Sequence, residues 1–171
     1  MLTLADVIQG LTGIRPPQLE RRLTRFALDS RLIRPGWVFV ALQGERADGH
    51  DFVGEALDRG AAMAIVERPV EAEAQVIDLT GPEPALPEEW TTPVLLRVHN
   101  TLGALQQLAA FWRRRHSARV IGVTGSVGKT TTKELVADVL SRRYATLKSE
   151  QSFNNEIGLP LTLLKLTPEH E

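Results

Sequence analysis

The sequence contains no cysteine, so it can form no disulfide bond, no thiolate zinc site and no cysteine nucleophile. It also lacks a long apolar run: none exceeds six residues, and a membrane-spanning helix needs roughly 20. The first ten residues have no basic stretch ahead of an apolar core, and no secretory signal is visible. These absences predict a cytoplasmic location and no membrane insertion.

An excess of charge of one sign is missing as well, because 20 basic residues are balanced by 21 acidic ones. A net charge of −1 gives no overall attraction for nucleic acid. The clustered arginines Arg113, Arg114, Arg115 and Arg119 follow a predicted helix, where cations favour the helix dipole. We interpret them as a solvated helix end, and we predict a monomer with no nucleic-acid partner.

Short apolar runs alternate with amphipathic segments along the chain. The pattern predicts strands at 37–42, 62–66, 94–98 and 120–123, and helices at 51–59, 101–115 and 130–140. Strands that alternate with helices predict an α/β fold with a mainly parallel sheet. The acidic, proline-rich residues 81–90 are predicted to form a surface loop, because proline lacks the N–H that a helix or central strand uses.

The character of the sequence changes near His99 and Asn100. We predict a small N-terminal α/β lobe at residues 1–99 and the start of a P-loop, parallel-sheet domain at residues 100–171. The second part has about 70 residues, which is short for a nucleotide-binding sheet covered on both faces. We therefore expect the chain to stop inside this second domain.

Residues 120–132, VIGVTGSVGKTTT, combine an apolar run, a loop with two glycines and a helix start. Glycines let consecutive backbone N–H groups point into one concavity, and a helix N-terminus adds about half a positive charge. This predicts binding of a nucleotide phosphate by Gly125, Ser126, Val127, Gly128, Lys129, Thr130 and Thr131. Lys129 would reach the β and γ phosphates, and the Thr130 hydroxyl would coordinate Mg²⁺.

The alternative is an ordinary strand-to-helix turn with chance glycines, since the pattern is the short G-x-x-G-K-T form with a valine at position 123. Lys129 argues against that alternative. A lysine in the first turn of a helix lies at the unfavourable end of the dipole, which costs a few tenths of a kcal/mol unless an anion compensates. We therefore favour phosphate binding, with ATP as the nucleotide.

Two further motifs lie outside the phosphate loop. Together with SFNNEIGLPLTLL at 152–164 and PGWVFVALQGERADGHDF at 35–52, the loop resembles the Mur ligases of peptidoglycan synthesis. This resemblance implies an ATP- and Mg²⁺-dependent ligase that joins D-alanyl-D-alanine to UDP-N-acetylmuramoyl-tripeptide through an acyl phosphate. The family branch that adds the third peptide residue is a less similar alternative, since it usually has asparagine where Val127 stands.

The resemblance also implies roles for individual residues. Contacts with the UDP-linked substrate are expected at Ser30, Arg31, Gly44, Arg46, Asp48 and His50, and catalytic roles at Lys129 and Asn155. Structural explanations stay open for several of these residues. Asp29-Ser30 is a plausible turn, Asp48 and His50 could cap a helix that begins near Asp51, and Asn154-Asn155 is a favourable loop sequence. For His50 we prefer the structural explanation.

In the family, further Mg²⁺ ligands, the adenine contacts and a third domain come after the last motif found here. We therefore expect the 171-residue chain to be inactive as a ligase by itself. Two alternatives remain: a separate module that binds the UDP-linked peptide, and a P-loop NTPase of another kind, such as a regulatory or transport ATPase.

Overall fold

A five-stranded, wholly parallel sheet forms the centre of the molecule. The computed structural model describes residues 2–17, 19–44, 47–150 and 155–171. The strands are β1 (Phe26–Ala27), β2 (Val38–Val40), β3 (Met63–Val66), β4 (Gln75–Asp78) and β5 (Val94–Arg97), in the spatial order β1-β2-β3-β5-β4. The predicted α/β class and parallel sheet are confirmed.

Helices cover both faces of this sheet. Side chains alternate between the faces along each strand, so that Val38 and Val40 of β2 join one apolar cluster and Phe39 joins the other. Helices α1 (Leu4–Thr12) and α3 (Thr101–Arg114) pack on the first face, and α2 (Val53–Asp58) packs on the second. Because both faces are buried, the central strands have the continuous apolar runs from which they were predicted.

The first helix, α1, is absent from the prediction although its signals are present in the sequence. Thr3 accepts a hydrogen bond from the backbone N–H of Asp6, and the Asp6 carboxylate accepts one from the backbone N–H of Thr3. This reciprocal pair is a capping box, and the apolar residues that follow it recur at helical spacing. The helix ends at Gly13, whose φ of 78° is left-handed.

The predicted strand at 120–123 is wrong. These residues lie outside every strand, and Val120 and Ile121 are 67% and 59% exposed. An apolar run becomes a strand only when a neighbouring strand pairs with it, and within the described ranges all five strands belong to the sheet of residues 26–97. The helix predicted to follow is confirmed as α4 (Lys129–Leu140).

The C-terminal residues return to α3. Helix α5 (Gly158–Leu163) packs against α3, and the indole nitrogen of Trp112 donates a hydrogen bond to the carbonyl oxygen of Leu166 at 2.9 Å. The predicted boundary at residues 99 and 100 stays a prediction. No helix within the described ranges is long and apolar enough to span a bilayer.

Candidate functional site

The phosphate loop has the backbone geometry that the sequence predicts. Gly125 and Gly128 have φ values of 144° and 80°, which residues with a Cβ rarely adopt. Gly128 is the residue before the first turn of α4, and no side chain caps that turn. The backbone N–H groups at the start of α4 therefore lie beside a glycine-lined loop, as anion binding requires.

The charges around the loop also favour an anion. No acidic residue lies in the first turn of α4, whereas Lys129 is its first residue. The Lys129 Nζ folds back over the loop and donates a hydrogen bond to the carbonyl oxygen of Gly125 at 2.5 Å. Ser126, Val127, Thr130 and Thr131 are exposed, with Val127 at 90%. The loop is open to a ligand, and its lysine is already within reach of it.

A magnesium ion could be held here only together with the phosphate groups. Within the described ranges, no group of three His, Asp or Glu side chains could hold a metal ion. The exposed Thr130 hydroxyl supplies one oxygen, and Mg²⁺ commonly takes its other ligands from phosphate and water. The residues present therefore fit a nucleotide-bound Mg²⁺ and do not form an independent metal site.

The residues predicted to bind the UDP-linked substrate follow the carboxyl ends of the strands. Ser30 and Arg31 come after β1, and the segment from Gly44 to His50 comes after β2. Since all five strands are parallel, their carboxyl ends share one edge of the sheet. Ligands of open parallel sheets bind at this edge. The structure thus brings Ser30 and Arg31 to the same side of the sheet as the described residues of the second segment, 44 and 47–50.

The segment Asp29-Ser30-Arg31 is held by two carboxylates. Asp29 accepts hydrogen bonds from the backbone N–H, Nε and a terminal nitrogen of Arg31, and these bonds lower the pKa of Asp29. Ser30 is buried, and its hydroxyl donates to Glu55 Oε2 of α2 at 2.7 Å. The Ser30 bond is the largest cause of the lowered pKa of Glu55, to which Arg59 also contributes. The Arg31 side chain is 77% exposed although its guanidinium is paired with Asp29, whereas the Ser30 hydroxyl is engaged in a buried position.

The loop after β2 is tight. A Cβ on Gly49 would lie 2.8 Å from the backbone nitrogen and oxygen of Leu42, so only glycine fits there. Gly44 donates its backbone N–H to Ala47 O at 3.0 Å. Asp48 caps the short 3-10 helix at Gly49–Phe52, as its structural explanation predicts, and bonds from the His50 backbone and ring lower the pKa of Asp48 to about 2. The predicted contact Arg46 lies outside the described residues.

The His50 ring is buried and bonded to protein groups. It is 4% exposed, and its Nδ1 lies 2.5 Å from Asp48 Oδ1. Its Nε2 accepts a hydrogen bond from the backbone N–H of Glu67 at 2.9 Å. Both ring nitrogens are therefore engaged with protein groups, which favours the structural explanation over direct contact with a substrate.

Asn155 makes hydrogen bonds with the backbone at the start of α5. Its Oδ1 accepts hydrogen bonds from the backbone N–H groups of Ile157 and Gly158 at 3.3 and 2.7 Å, at the start of α5. It lines a cleft of about 480 Å³ between α3 and α5. These bonds fit its alternative explanation as a loop residue, and its predicted catalytic role stays a prediction. Asn154 lies outside the described residues.

Sequence reasoning missed Glu55, whose carboxylate accepts from Ser30, and Glu67, whose carboxylate accepts from Thr101 at the start of α3 and whose backbone N–H donates to His50. Their partners are 25 residues away at Ser30 and 34 residues away at Thr101. No local pattern marks such contacts, because they exist only once the strand ends are brought together. The capping role of Asn100 on α3, by contrast, has a local signal, since its side chain accepts from Gly103 N three residues on.

Two family models match this chain. Residues 23–113 match "Mur ligase family, catalytic domain", and residues 123–171 match "Mur ligase middle domain". Among curated relatives, the UDP-N-acetylmuramoyl-tripeptide--D-alanyl-D-alanine ligase of Synechocystis is 42% identical over 88% of this chain. The enzyme of the same name from Escherichia coli is 41% identical over 98% of this chain. These alignments cover 30% and 32% of the two relatives, so the chain spans about a third of their length.

Solved structures agree with the sequence relatives. A crystal structure of MurF from Acinetobacter baumannii superposes with a TM-score of 0.75 at 37% identity, covering 97% of this chain and 33% of that one. MurF of Thermotoga maritima in complex with ADP gives a TM-score of 0.67 at 36% identity, covering 88% of this chain and 30% of that one. The sheet, the phosphate loop and these matches lead to one conclusion: the chain belongs to the Mur ligase family.

Proposed function

We propose that the protein acts as an ATP-dependent ligase that joins D-alanyl-D-alanine to UDP-N-acetylmuramoyl-tripeptide. In this proposal residues 1–99 are the lobe that binds the UDP-linked substrate, and residues 100–171 belong to the ATP-binding domain. The activity named for the Synechocystis and Escherichia coli relatives supports the reaction. The ADP complex of the Thermotoga maritima relative supports the nucleotide.

One observation carries the proposal for this chain: the N-terminus of α4 has no side-chain cap, two glycines with positive φ beside it and Lys129 at its first position. Every other helix of eight or more residues within the described ranges begins with a side-chain cap, from Thr3 on α1 and from Asn100 on α3. Because no side chain caps this N-terminus, its partial positive charge and the charge of the neighbouring lysine are available to an external anion.

The chemistry explains why a phosphate site is needed. A carboxylate is a poor acyl donor because its leaving group would be an oxide. ATP supplies a phosphoryl group to a carboxylate oxygen, so that phosphate can later depart when the amine attacks the acyl carbon and loses a proton. The protein has to hold the anionic partners in line and to neutralise the charge between them. Lys129 and the N–H groups of α4 do this in our proposal, with the Thr130 hydroxyl toward Mg²⁺.

The other lobe has a separate task, which is to hold the uridine diphosphate end of the substrate. Arg31 is an exposed cation that follows β1 at the carboxyl edge of the sheet, and a guanidinium suits a diphosphate because it can donate two parallel hydrogen bonds, here in exchange for those that it donates to Asp29. Gly49 and Gly44 are packed against the backbone of Leu42 and Ala47, which fixes the course of the loop on the same edge. Binding of the uridine diphosphate end, which is distant from the reacting carboxylate, helps to position that carboxylate.

The proposal is tested by two measurements. Phosphate release from ATP in the whole protein must require both UDP-N-acetylmuramoyl-tripeptide and D-alanyl-D-alanine, and the product must contain the new amide. Calorimetry on the 171-residue chain must show binding of the UDP-linked tripeptide and of a non-hydrolysable ATP analogue. Binding of the tripeptide without the ATP analogue would instead support a separate binding module, and ATP turnover independent of the tripeptide would support an unrelated NTPase.

A further inference from the structure

His50 joins two segments through its two ring nitrogens. Because Nε2 accepts the hydrogen bond from the Glu67 backbone N–H, the ring proton sits on Nδ1 and is donated to Asp48. The ring is almost fully buried at 4% exposure. His50 is therefore held in one tautomer and one orientation, between the loop after β2 and the first residue after β3.

Glu67 continues the connection to a third segment. Its Oε1 accepts hydrogen bonds from the backbone N–H of Thr101 at 2.6 Å and from the Thr101 hydroxyl at 2.9 Å. Thr101 is the first residue of α3 and is 0% exposed. A single chain of hydrogen bonds thus runs from Asp48 through His50 and Glu67 to the start of α3.

This chain of bonds links the segments that follow three neighbouring strands, beyond the last paired residues of the sheet. Asp48 follows β2, Glu67 follows β3 and Thr101 follows β5. Burying such polar groups is favourable only when every member has its partner, and removing one leaves the others unsatisfied. Hydrogen bonds are directional, whereas an apolar contact in the same space would not fix the orientation of the loop. The polar network fixes the position of the loop relative to α3.

We propose that His50 and Glu67 are positioning residues of the ligase. They hold residues 47–50 of the loop after β2 against the N-terminus of α3, so that this segment is preorganised for the UDP-linked substrate although His50 and Glu67 do not contact that substrate. The inference rests on the proposed function, because it takes that loop as part of the substrate site. Preorganisation of this kind lowers the ordering cost of binding and therefore appears in the affinity for the substrate.

The test uses two substitutions of His50 in the full chain. His50→Asn places an amide nitrogen near Nδ1, which keeps the bond to Asp48 and loses the acceptor for Glu67. His50→Gln places an oxygen near Nε2, which restores the acceptor for Glu67 and loses only the bond to Asp48 within the same loop. We expect His50→Asn to weaken calorimetric binding of UDP-N-acetylmuramoyl-tripeptide by about tenfold, the equivalent of one buried hydrogen bond, and His50→Gln to recover most of it. Affinity for the ATP analogue should not change in either variant.

Hydrogen exchange at the Glu67 amide reports the structural contact separately. If His50→Asn exposes that amide to exchange while the substrate binds as tightly as to the unsubstituted chain, the positioning role is wrong and the proposed function still stands. If the unsubstituted chain binds no UDP-linked tripeptide, the proposed function fails, and the inference fails with it.

A second pair of variants addresses the other end of the network, in case His50→Asn does not fold. Thr101→Val keeps the shape of the side chain and removes the hydroxyl, whereas Thr101→Ser keeps the hydroxyl. The inference predicts a loss of several-fold in substrate affinity for Thr101→Val only. Equal affinities for the valine and serine variants would overturn it.

Discussion

The Nζ of Lys129 lies 2.5 Å from the carbonyl oxygen of Gly125, so the lysine closes the phosphate loop on itself. The bond spans the loop from its first glycine to the first residue of α4. A bound phosphate would compete with that carbonyl for the same ammonium group, and a charged oxygen is the stronger acceptor. We infer that the ammonium group is held close to the position of the phosphate and that, when the nucleotide binds, a phosphate oxygen replaces the Gly125 carbonyl as its acceptor.

The first prediction concerns this lysine. Lys129→Met keeps much of the side-chain length and removes the charge, so we expect affinity for a non-hydrolysable ATP analogue to fall by at least about tenfold. The matched control is Arg142→Met, which removes one exposed positive charge beyond the opposite end of the same helix. Calorimetry that finds equal losses for both variants would mean that only general charge, and not the loop, attracts the nucleotide.

The second prediction concerns the tight turn before His50. Gly49→Ala should destabilise the protein by about 1–3 kcal/mol, because the new Cβ would lie 2.8 Å from two backbone atoms of Leu42. Gly54→Ala in α2 is the control, since nothing lies within 4 Å of its Cβ position. That control should be stabilising by about 0.4–1 kcal/mol. Urea denaturation measures both, and a neutral Gly49→Ala would contradict the described loop geometry.

The third prediction concerns the carboxyl edge of the sheet. Arg31→Ala should reduce affinity for UDP-N-acetylmuramoyl-tripeptide by about tenfold or more, since it removes a charged donor to the diphosphate. Arg34→Ala removes an exposed arginine three residues away and should have little effect. Stability should change by less than about 0.5 kcal/mol in both variants, because both side chains are exposed. Identical affinities of the two variants would exclude Arg31 from the substrate site.

The fourth prediction concerns acid stability. Asp48 has a pKa of about 2 in the folded protein, below its ordinary value of 3.8, owing first to the backbone N–H of His50. A carboxyl with a lowered pKa stabilises the fold above its ordinary pKa, and that stabilisation is lost as the pH falls through the folded value. We therefore expect the unfolding free energy of Asp48→Asn to fall less than that of the unsubstituted protein when the pH is lowered from about 4 to about 2.

Urea denaturation at a series of pH values measures this slope. Asp138→Asn is the control, because it removes an exposed carboxylate on α4 and leaves the loop intact. An unchanged slope in Asp48→Asn would show that the bonds from His50 do not stabilise the ionised carboxylate.

Elements with a local signal could be predicted from the sequence. β3 and α3 carry apolar patterns that need no distant partner to be recognised, and the glycines and lysine of the phosphate loop stand together in the chain. β4 was missed because it is an edge strand with only Ile77 buried among its four residues. The run at 120–123 has a strand-like pattern, yet no strand within the described ranges pairs with it.

The candidate substrate site shows the same division. Asp48 caps the residues directly after it, and this role follows from residue type and position. The bonds from Ser30 to Glu55 and from His50 to Glu67 join residues 25 and 17 positions apart. They depend on parallel strands that bring their carboxyl ends to one edge, and no short motif encodes that arrangement.

The central claim is that the start of α4 binds the phosphates of ATP. The most direct measurement is a two-dimensional NMR titration of the backbone amides with a non-hydrolysable ATP analogue and Mg²⁺, compared with adenosine alone. We predict that the analogue shifts the amides of residues 125–131 and that adenosine leaves them in place. Unchanged amides in this loop at saturating analogue, or equal shifts with adenosine, would contradict it.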